Sequence, residues 1–318
     1  MKLYLTSAYG THDLLDRLIE LSALDSSGRH ELCSCPADAD AILFVENTHY
    51  QDYFFRALIE HPLVSRYPEK VFMYNEADKP WCVLPGLYCS MSSRFFQDNR
   101  QVAFPYIKSP NPYISDVRNW DIEKKWLFSF VGSTSHRCRK QVVALADNSK
   151  GIKDTSDFNV WDSSFPERQL QGMDFAQTMA ESRYMLCPRG IGTSSYRLFE
   201  TMEAQRAPVV ISDHWVQPPH VDWDFLVTVK QDDIKKIPEL LRSISNEAED
   251  RGKAARLAWE QAYGADVMFD TVAESIAFLL YEQKYQEDTD KLLSLRKFII
   301  GSELLTLAML RQLKSQLL

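Results

Sequence analysis

Residues 184–213 of the chain read YMLCPRGIGTSSYRLFETMEAQRAPVVISD. The apolar run at 184–187 predicts a strand, and residues 194–205 are predicted to form a helix. Gly190 and Gly192 lie between them, and a second apolar run follows the helix. A strand, a glycine loop, a helix and another strand are typical of a parallel α/β sheet, which places ligands at the carboxyl ends of its strands.

The same alternation continues on both sides of this stretch. Strands are predicted at residues 2–7, 41–45, 70–74, 83–90, 126–131, 209–212 and 226–229, and helices at 13–24, 53–60, 137–146, 174–183 and 233–244. From residue 246 onward the composition is helical. Strands separated by helices favour parallel sheets with right-handed crossovers. The sequence therefore predicts an α/β fold with a helical C-terminal extension.

Length sets the expected number of domains. The chain has 318 residues, which predicts two domains at about 150 residues per domain. Residues 108–120 contain two prolines and no sustained periodicity, which is typical of a connection between lobes. We therefore place a boundary near residue 115. The predicted units are 1–115, 116–265 and a helical extension at 266–318.

Composition limits the classes of partner and compartment. A net charge of −8 argues against a nucleic-acid binder, and six cysteines without a C-x-x-C pair indicate reduced thiols. The amino terminus lacks the apolar core of a signal peptide, and the apolar stretch at 298–310 is too short and too charged for a transmembrane span. We expect a cytoplasmic protein, or one peripherally attached to a membrane.

The glycine loop predicts an anion site. Free N–H groups and the positive dipole end at a helix start attract phosphate, and glycines let it approach the main chain. Arg189 and Arg197 flank the loop, and a guanidinium can donate two parallel hydrogen bonds to phosphate. Ser195 stands where the dinucleotide fingerprint needs its third glycine. Glu200, three residues after Arg197, is either a ribose-binding carboxylate or that arginine's surface ion-pair partner.

A long ordered series of residues surrounds this loop. It comprises Glu181, Ser182, Leu186, Cys187, Pro188, Arg189, Gly190, Thr193, Ser194, Ser195, Arg197, Glu200, Ala204, Pro208, Val209, Val210, Ser212, Asp213, Asp222 and Trp223. In this series the chain resembles the exostosin-type glycosyltransferases, a family that contains heparan sulfate polymerases and plant cell-wall transferases. Upstream, FSFVGSTSHRCRK is similar to the family's first strand and helix of the nucleotide lobe. The resemblance covers roughly residues 126–245.

The resemblance implies a GT-B fold of two facing Rossmann-like lobes. It implies that lobe 116–265 holds a nucleotide-sugar donor, a UDP-sugar, and that lobe 1–115 holds a glycan or glycoconjugate acceptor. It also implies an inverting hexosyl- or pentosyltransferase without an essential metal or other cofactor, since arginines and a helix N-terminus can stabilise the departing diphosphate. The chain departs from the family at Gln205 and Arg206, where a Gly-Cys pair is usual.

A second loop of small residues lies upstream. Gly132 precedes a predicted helix that carries Arg137 and Arg139. Cations are unfavourable at a helix start unless an anion is present, so one of these arginines is expected to face the diphosphate. The predicted donor-binding residues are Gly132, Arg137, Arg139, Arg189, Gly190, Gly192, Thr193, Ser194, Ser195, Arg197 and Glu200.

An inverting transfer also needs a general base for the acceptor hydroxyl. Carboxylates and imidazoles that follow the strands of the first lobe are the candidates, because α/β sheets place ligands there. Glu46 and Glu76 lead, and the others are His12, Asp13, His49 and Asp78.

Metal binding is the main competing chemistry. The pairs Asp38 with Asp40 and Asp222 with Asp224 match the D-x-D of metal-dependent glycosyltransferases. Such pairs arise easily among 44 acidic residues, so no metal site is predicted. His214 and His220 lack a Cys or carboxylate at zinc spacing and are interpreted as loop residues.

Two further alternatives stay open. The leucine-rich segment 292–318 is either a helix packed on its own domain or a surface for a second copy or a membrane. As a whole, the chain is either the enzyme described above or a catalytically silent nucleotide- or glycan-binding module with the same fold.

Overall fold

The computed structural model describes residues 1–10, 12–108, 111–146, 151–158 and 164–284. The strands of these residues form two sheets, and within each sheet the neighbouring strands are parallel. This arrangement confirms the predicted α/β class with two parallel, Rossmann-like sheets.

The first sheet comes from the amino-terminal part of the chain. Its strands are β1 (Lys2–Thr6), β2 (Glu31–Leu32), β3 (Ala41–Glu46), β4 (Val71–Asn75), β5 (Gly86–Tyr88) and β6 (Gln101–Ala103). Helices α1 (Asp13–Leu24), α2 (Arg56–Ile59) and α3 (Pro62–Arg66) connect them. In space the order is β2-β1-β3-β4-β5-β6. Every residue of β3 and β4 is buried, as expected for central strands covered on both faces.

The second sheet follows a connection that contains the 3₁₀ turn Val117–Asn119. Its strands are β7 (Trp126–Gly132), β8 (Gly151–Asp154), β9 (Ser182–Pro188), β10 (Ala207–Ile211) and β11 (Val227–Val229), in the spatial order β11-β10-β9-β7-β8. Its helices are α4 (Arg137–Val143), α5 (Phe165–Ala180), α6 (Tyr196–Glu203), α7 (Ile237–Ser243) and α8 (Ala248–Ala262). The carboxyl ends of β7 and β9 are neighbours, which brings their following loops together.

Helix α9 (Met268–Lys284) returns to the first sheet. It packs against α1, β5 and β6, and buries Phe269, Val272 and Ile276. Asp270 accepts a hydrogen bond from Arg29 Nε at 2.9 Å, which attaches the start of α9 to the loop after α1. Within the described residues, no helix combines the length and apolar composition needed to cross a bilayer. The predicted tail at 292–318 lies outside the described residues.

Helix α5 begins earlier than the sequence pattern predicts, at Phe165 rather than at residue 174. Its first half is exposed, including Leu170, so no amphipathic periodicity marks it. A capping box marks it instead, because Ser164 at the N-cap and Glu167 bond to each other's backbone. The S-x-x-E spacing was therefore the available signal for this helix start.

The turn after α6 contains Gln205 and Arg206, the two positions where the sequence departs from the family that it resembles. Helix α6 ends in a Schellman motif, in which Gln205 N donates to Met202 O at 3.1 Å and Arg206 N donates to Thr201 O at 3.0 Å. Gln205 adopts the left-handed φ of 57° that this motif requires. Glycine is the residue that takes this conformation without steric cost.

Gln205→Gly is expected to stabilise the fold by about 1 kcal/mol, because it removes the strain of a left-handed glutamine. Urea unfolding, followed by circular dichroism, measures this change. Ala204→Gly is the matched control, since Ala204 is not left-handed, and this change should destabilise by about 0.5–1 kcal/mol. Equal effects of the two glycines would contradict the assignment.

Arg206 stands where the resembled family usually has cysteine, and its side chain caps two helices. Its guanidinium donates to Met179 O at 3.3 Å and Ala180 O at 3.4 Å at the end of α5, and to Ala204 O at 3.2 Å and Gln205 O at 3.0 Å after α6. Burial lowers the pKa of Arg206 to about 10. A cation at the negative ends of two helix dipoles is favourable. Arg206 therefore stabilises the end of α6, the helix that carries part of the predicted site.

Candidate functional site

The loops after β7 and β9 meet at Arg139, on the first turn of α4. Its Nε donates to Arg189 O at 3.1 Å, and its Nη1 donates to Ser133 O at 3.3 Å and to Ser135 Oγ at 3.2 Å. Gly190 permits this approach, since a Cβ there would lie 2.8 Å from Arg139 Nη2. Of the two predicted arginines, Arg139 thus lies between the two loops, whereas Arg137 is exposed to solvent.

Arg139 carries a buried positive charge. It is 8% exposed and forms no ion pair with any described residue. Burial, and then repulsion from the nearby Arg197 guanidinium, lower the pKa of Arg139 to about 9. Two guanidinium groups close together without a paired carboxylate favour an anion between or beside them.

Arg197 approaches from the start of α6. Its Nε donates to Val131 O at 2.7 Å, and its guanidinium lies 5.2 Å from the ring centroid of Phe130. The two terminal nitrogens form no hydrogen bond with a described residue. Gly132 makes room for this group, since a Cβ on Gly132 would overlap Arg197 Nη2. The fixed Nε and the free terminal nitrogens leave Arg197 able to bind an anion from one side.

Gly132→Ala is expected to displace the Arg197 guanidinium and to weaken binding of inorganic pyrophosphate by about 10-fold, which corresponds to about 1.4 kcal/mol. Isothermal titration calorimetry measures this affinity. Gly10→Ala is the matched control, because a Cβ at Gly10 has nothing within 4 Å. Unchanged pyrophosphate affinity in the Gly132 variant would show that Arg197 does not contact the anion.

Three polar side chains near Arg197 make no hydrogen bond with a described residue. Ser194 and Ser195 have buried hydroxyl oxygens without a hydrogen bond. Glu200 is half-buried, and burial raises its pKa to about 7. Attraction to the Arg197 guanidinium opposes this shift, so Glu200 as a ribose-binding carboxylate and Glu200 as the ion-pair partner of Arg197 both stay open. Buried polar groups are normally bonded, which makes these three available to a ligand.

The glycine loop also joins the two sheets. Gly192 N donates to Asp78 Oδ1 at 3.2 Å, and Thr193 Oγ1 donates to Ser90 O at 2.9 Å. Ser212 Oγ donates to Thr193 O at 2.8 Å. The Asp78 side chain is exposed to solvent, and its partial desolvation beside the glycine loop raises its pKa, against the effect of the hydrogen bond from Gly192 N. Thr193 therefore holds the loop in place, while Asp78 lies in the cleft beside it.

Glu76 is a second link between the sheets. Its carboxylate accepts hydrogen bonds from Tyr74 Oη at 2.6 Å, Tyr196 Oη at 2.9 Å, Ile107 N at 2.7 Å and one further backbone N–H. Tyr196 also stacks on Tyr106 with ring centroids 3.8 Å apart. Burial raises the pKa of Glu76, and the tyrosine hydrogen bonds oppose this shift. These four donors saturate the carboxylate and favour a positioning role.

Glu46 and His49 form a hydrogen-bonded pair at the end of β3. His49 Nε2 lies 3.2 Å from Glu46 Oε2, and Glu46 also accepts from Ser7 Oγ at 3.1 Å and Ala8 N at 2.7 Å. His49 stacks on Tyr9 with ring centroids 3.6 Å apart. The structure thus brings together two of the six base candidates.

The remaining predicted residues lie at the surface of the site or away from it. His12 is exposed at the N-cap of α1, and Asp13 is exposed and pairs with Lys108 at 3.5 Å. Arg189 is half-buried and donates to Ile191 O at 3.0 Å within its own loop. These contacts give Arg189 a loop-shaping role in addition to its predicted one.

Some of the residues considered for metal binding, Asp40, Asp222 and His220, have other hydrogen-bond partners. Asp40 Oδ2 accepts from Lys2 N at 2.7 Å, and Asp222 Oδ1 accepts from Asp224 N at 3.1 Å. His220 Nε2 lies 2.7 Å from Ser275 Oγ. These contacts belong to strand and loop structure.

One other group of potential metal ligands is found among the described residues. His30, Asp270 and Glu274 place one ligand atom each within 4.8 Å of one another. The Arg29 guanidinium already pairs with both carboxylates and lies 3.1 Å from Glu274 Oε1. A second cation beside this arginine is electrostatically unfavourable.

Several site residues were not predicted. Ser133 and Ser135 bind Arg139, while Tyr106 and Tyr196 connect Glu76 to α6. Ser133 and Ser135 stand in a small-residue loop before a helix, which was a usable signal. The link between Tyr196 and Glu76 spans 120 positions, and local patterns do not reveal such contacts.

Comparison with known proteins identifies a matching family and several relatives of the chain. The family model described as "Exostosin GT47 domain" matches residues 44–244. An exostosin-1 homolog of Caenorhabditis elegans is 34% identical over 99 residues, which cover 29% of this chain and 26% of that protein. A probable glycosyltransferase of Arabidopsis thaliana is 29% identical over 167 residues, which cover 50% of this chain and 32% of that protein. The chain thus matches about a quarter to a third of the length of these relatives.

Among solved structures, the chain is similar to MurG of Acinetobacter baumannii, with 11% identity, a TM-score of 0.36, and coverage of 86% of this chain and 99% of that one. It is also similar to WaaG, a glycosyltransferase involved in lipopolysaccharide biosynthesis, with 10% identity, a TM-score of 0.39, and coverage of 88% and 99%.

Proposed function

The chain belongs to the exostosin GT47 family, and on this basis we propose that it transfers a hexosyl or pentosyl group from a UDP-sugar to a glycan or glycoconjugate. The reaction we propose inverts the anomeric carbon and needs no metal. The observation that carries the proposal is the pair Arg139 and Arg197, two guanidinium groups close enough to repel each other, of which Arg139 is buried and Arg197 is half-buried.

The diphosphate would lie on this loop. The free terminal nitrogens of Arg197 and the positive face of Arg139 would bind its oxygens, and the unpartnered hydroxyls of Ser194 and Ser195 would donate to it. As the bond to the anomeric carbon breaks, negative charge grows on the diphosphate. Fixed guanidinium groups stabilise that charge without reorganisation, which is the role a divalent cation has in metal-dependent enzymes.

The ribose would lie beside Glu200. This carboxylate is one α-helical turn beyond Arg197, is half-buried, and accepts no hydrogen bond from a described residue. A carboxylate accepts hydrogen bonds from two adjacent hydroxyls, which a ribose presents. The acceptor would approach from the carboxyl edge of the first sheet, opposite the diphosphate, as displacement with inversion requires.

The test is release of UDP from a panel of UDP-glucose, UDP-galactose, UDP-N-acetylglucosamine, UDP-glucuronic acid and UDP-xylose, with methyl glycosides as acceptors and with EDTA present. We expect UDP release with at least one donor, and proton NMR of the product should show the inverted anomeric configuration. Tight UDP binding without turnover or donor hydrolysis would instead support the catalytically silent module. Activity lost in EDTA and restored by Mn²⁺ would overturn the metal-independent mechanism.

A further inference from the structure

The pair of Glu46 and His49 has the arrangement of a base and its orienting carboxylate. Glu46 is 1% exposed and accepts hydrogen bonds from Ser7 Oγ, Ala8 N and His49 Nε2. Because a carboxylate only accepts hydrogen bonds, Nε2 carries the ring proton in this contact. His49 Nδ1 is then left with its lone pair, the form a general base requires.

Neighbouring aromatic groups fix the orientation of this imidazole. Tyr9 stacks on His49 at an interplanar angle of 16°, and Phe55 meets the ring edge-on with centroids 5.8 Å apart. Tyr9 Oη donates to Asp52 Oδ2 at 2.8 Å, and Asp52 accepts from Arg56 N at 3.0 Å. The ring is thus held on one face and one edge, while 15% of the His49 side chain stays accessible.

The pair lies at the sheet edge that faces the glycine loop. Strands β3 and β4 are neighbours with Glu46 opposite Asn75, and Glu76 N donates to Glu46 O at 3.2 Å. Two residues after Glu76, Asp78 accepts from Gly192 of the glycine loop. One strand spacing, about 4.8 Å, therefore separates the pair from the strand that leads to the meeting point of the two sheets.

The other candidates lack this combination. Glu76 already accepts four hydrogen bonds, and Asp13 pairs with Lys108 at the surface. His12 is exposed, and its side chain makes no capping hydrogen bond to α1. His49 alone among the six candidates is a basic side chain fixed by a buried carboxylate.

We infer that His49 is the general base of the transfer and that Glu46 is its positioning residue, an inference that rests on the proposed function. His49 Nδ1 takes the proton of the acceptor hydroxyl as that oxygen forms its bond to the anomeric carbon. The bond from the anomeric carbon to the diphosphate oxygen breaks, and its electron pair leaves with UDP. The charged imidazolium is stabilised by Glu46, and its proton then passes to water.

The test compares His49→Ala with the wild type in the UDP-release assay, using the most active donor and acceptor of the panel. We expect the maximal rate to fall about 10²- to 10⁴-fold, with UDP affinity by calorimetry unchanged within about twofold. Added imidazole and methylimidazoles should restore the rate of the alanine variant in the order of their basicity. If His49 only filled space in the fold, the restored rate would depend on the size of the added base and not on its basicity.

Two further variants complete the test. Glu46→Gln should lower the maximal rate about 10- to 100-fold with unchanged UDP affinity, because an amide can donate to Nε2 and stabilise the wrong tautomer. His12→Ala tests whether His12, the other histidine among the candidates, is the general base instead. The assignment is overturned if His49→Ala keeps its rate within threefold, or if rate and UDP affinity fall together. A wild type that binds no UDP and turns over no donor would overturn the proposed function and this assignment with it.

Discussion

Arg197→Met is expected to weaken UDP binding by about 100-fold or more, because two charge-assisted hydrogen bonds of about 1.5–3 kcal/mol each are lost. Methionine keeps the aliphatic part of the side chain about as far as the position of Nε, which limits the structural effect, and it loses the guanidinium that lies over Phe130. Calorimetry with UDP measures the loss. Uridine, which has no phosphate, should bind the variant nearly as well as it binds the wild type.

The control for this variant is Arg183→Met. Arg183 is exposed at the amino end of β9, far along the strand from the glycine loop, so its removal takes away the same charge without touching the site. An equal loss of UDP affinity in both variants would indicate a general electrostatic effect. An equal loss of uridine and UDP affinity in Arg197→Met would place the arginine at the nucleoside and not at the diphosphate.

Glu200→Gln is expected to stabilise the unliganded protein and to weaken nucleoside binding. Burial raises the pKa of Glu200 from 4.5 to about 7, so ionising this group costs more in the folded than in the unfolded state. Below pH 4.5 the carboxyl is protonated in both states and no penalty exists. The penalty grows as the pH rises from 4.5 to 7 and is complete above 7, where it amounts to roughly 2–3 kcal/mol.

Urea unfolding at pH 8 should therefore show the glutamine variant to be more stable than the wild type by roughly 2–3 kcal/mol, and at pH 4 the difference should vanish. Uridine affinity of the wild type should rise with pH through about 7, as the accepting carboxylate forms. Uridine is the probe because it does not titrate in this range through a phosphate. Uridine binding that is equal in wild type and variant at every pH would remove Glu200 from the ribose site.

The local sequence was sufficient to predict the elements that carry the site. The apolar run of β9, the two glycines and the start of α6 lie in one stretch, so periodicity and loop chemistry identify them together. Short edge strands were harder to predict. Strand β8 reads GIKD with two exposed residues, and β6 has three residues, so neither shows an apolar run and each depends on the neighbour it pairs with.

The choice between Arg137 and Arg139 depended on a face of α4. Cys138, Arg139 and Val142 are buried together, and positions 139 and 142 are one turn apart, so Arg139 shares the inner face while Arg137 does not. That pattern was present in the sequence.

The hydrogen bonds that saturate Glu76 could not be predicted from the sequence. The partners of Glu76 come from β4, from the segment after β6 and from α6, and only the assembled sheets bring them within hydrogen-bond distance.

The residues of the glycine loop and of the first turn of α6 fall into two groups with different roles. Gly192, Thr193 and Tyr196 bond across to the first sheet, whereas Ser194, Ser195 and Arg197 face the proposed diphosphate. In the proposed binding mode, nucleotide affinity and the alignment of the two sheets are thermodynamically coupled, and the coupling is reciprocal. A donor bound in that mode would stabilise the two lobes against separation, and would thereby set the geometry in which the acceptor binds.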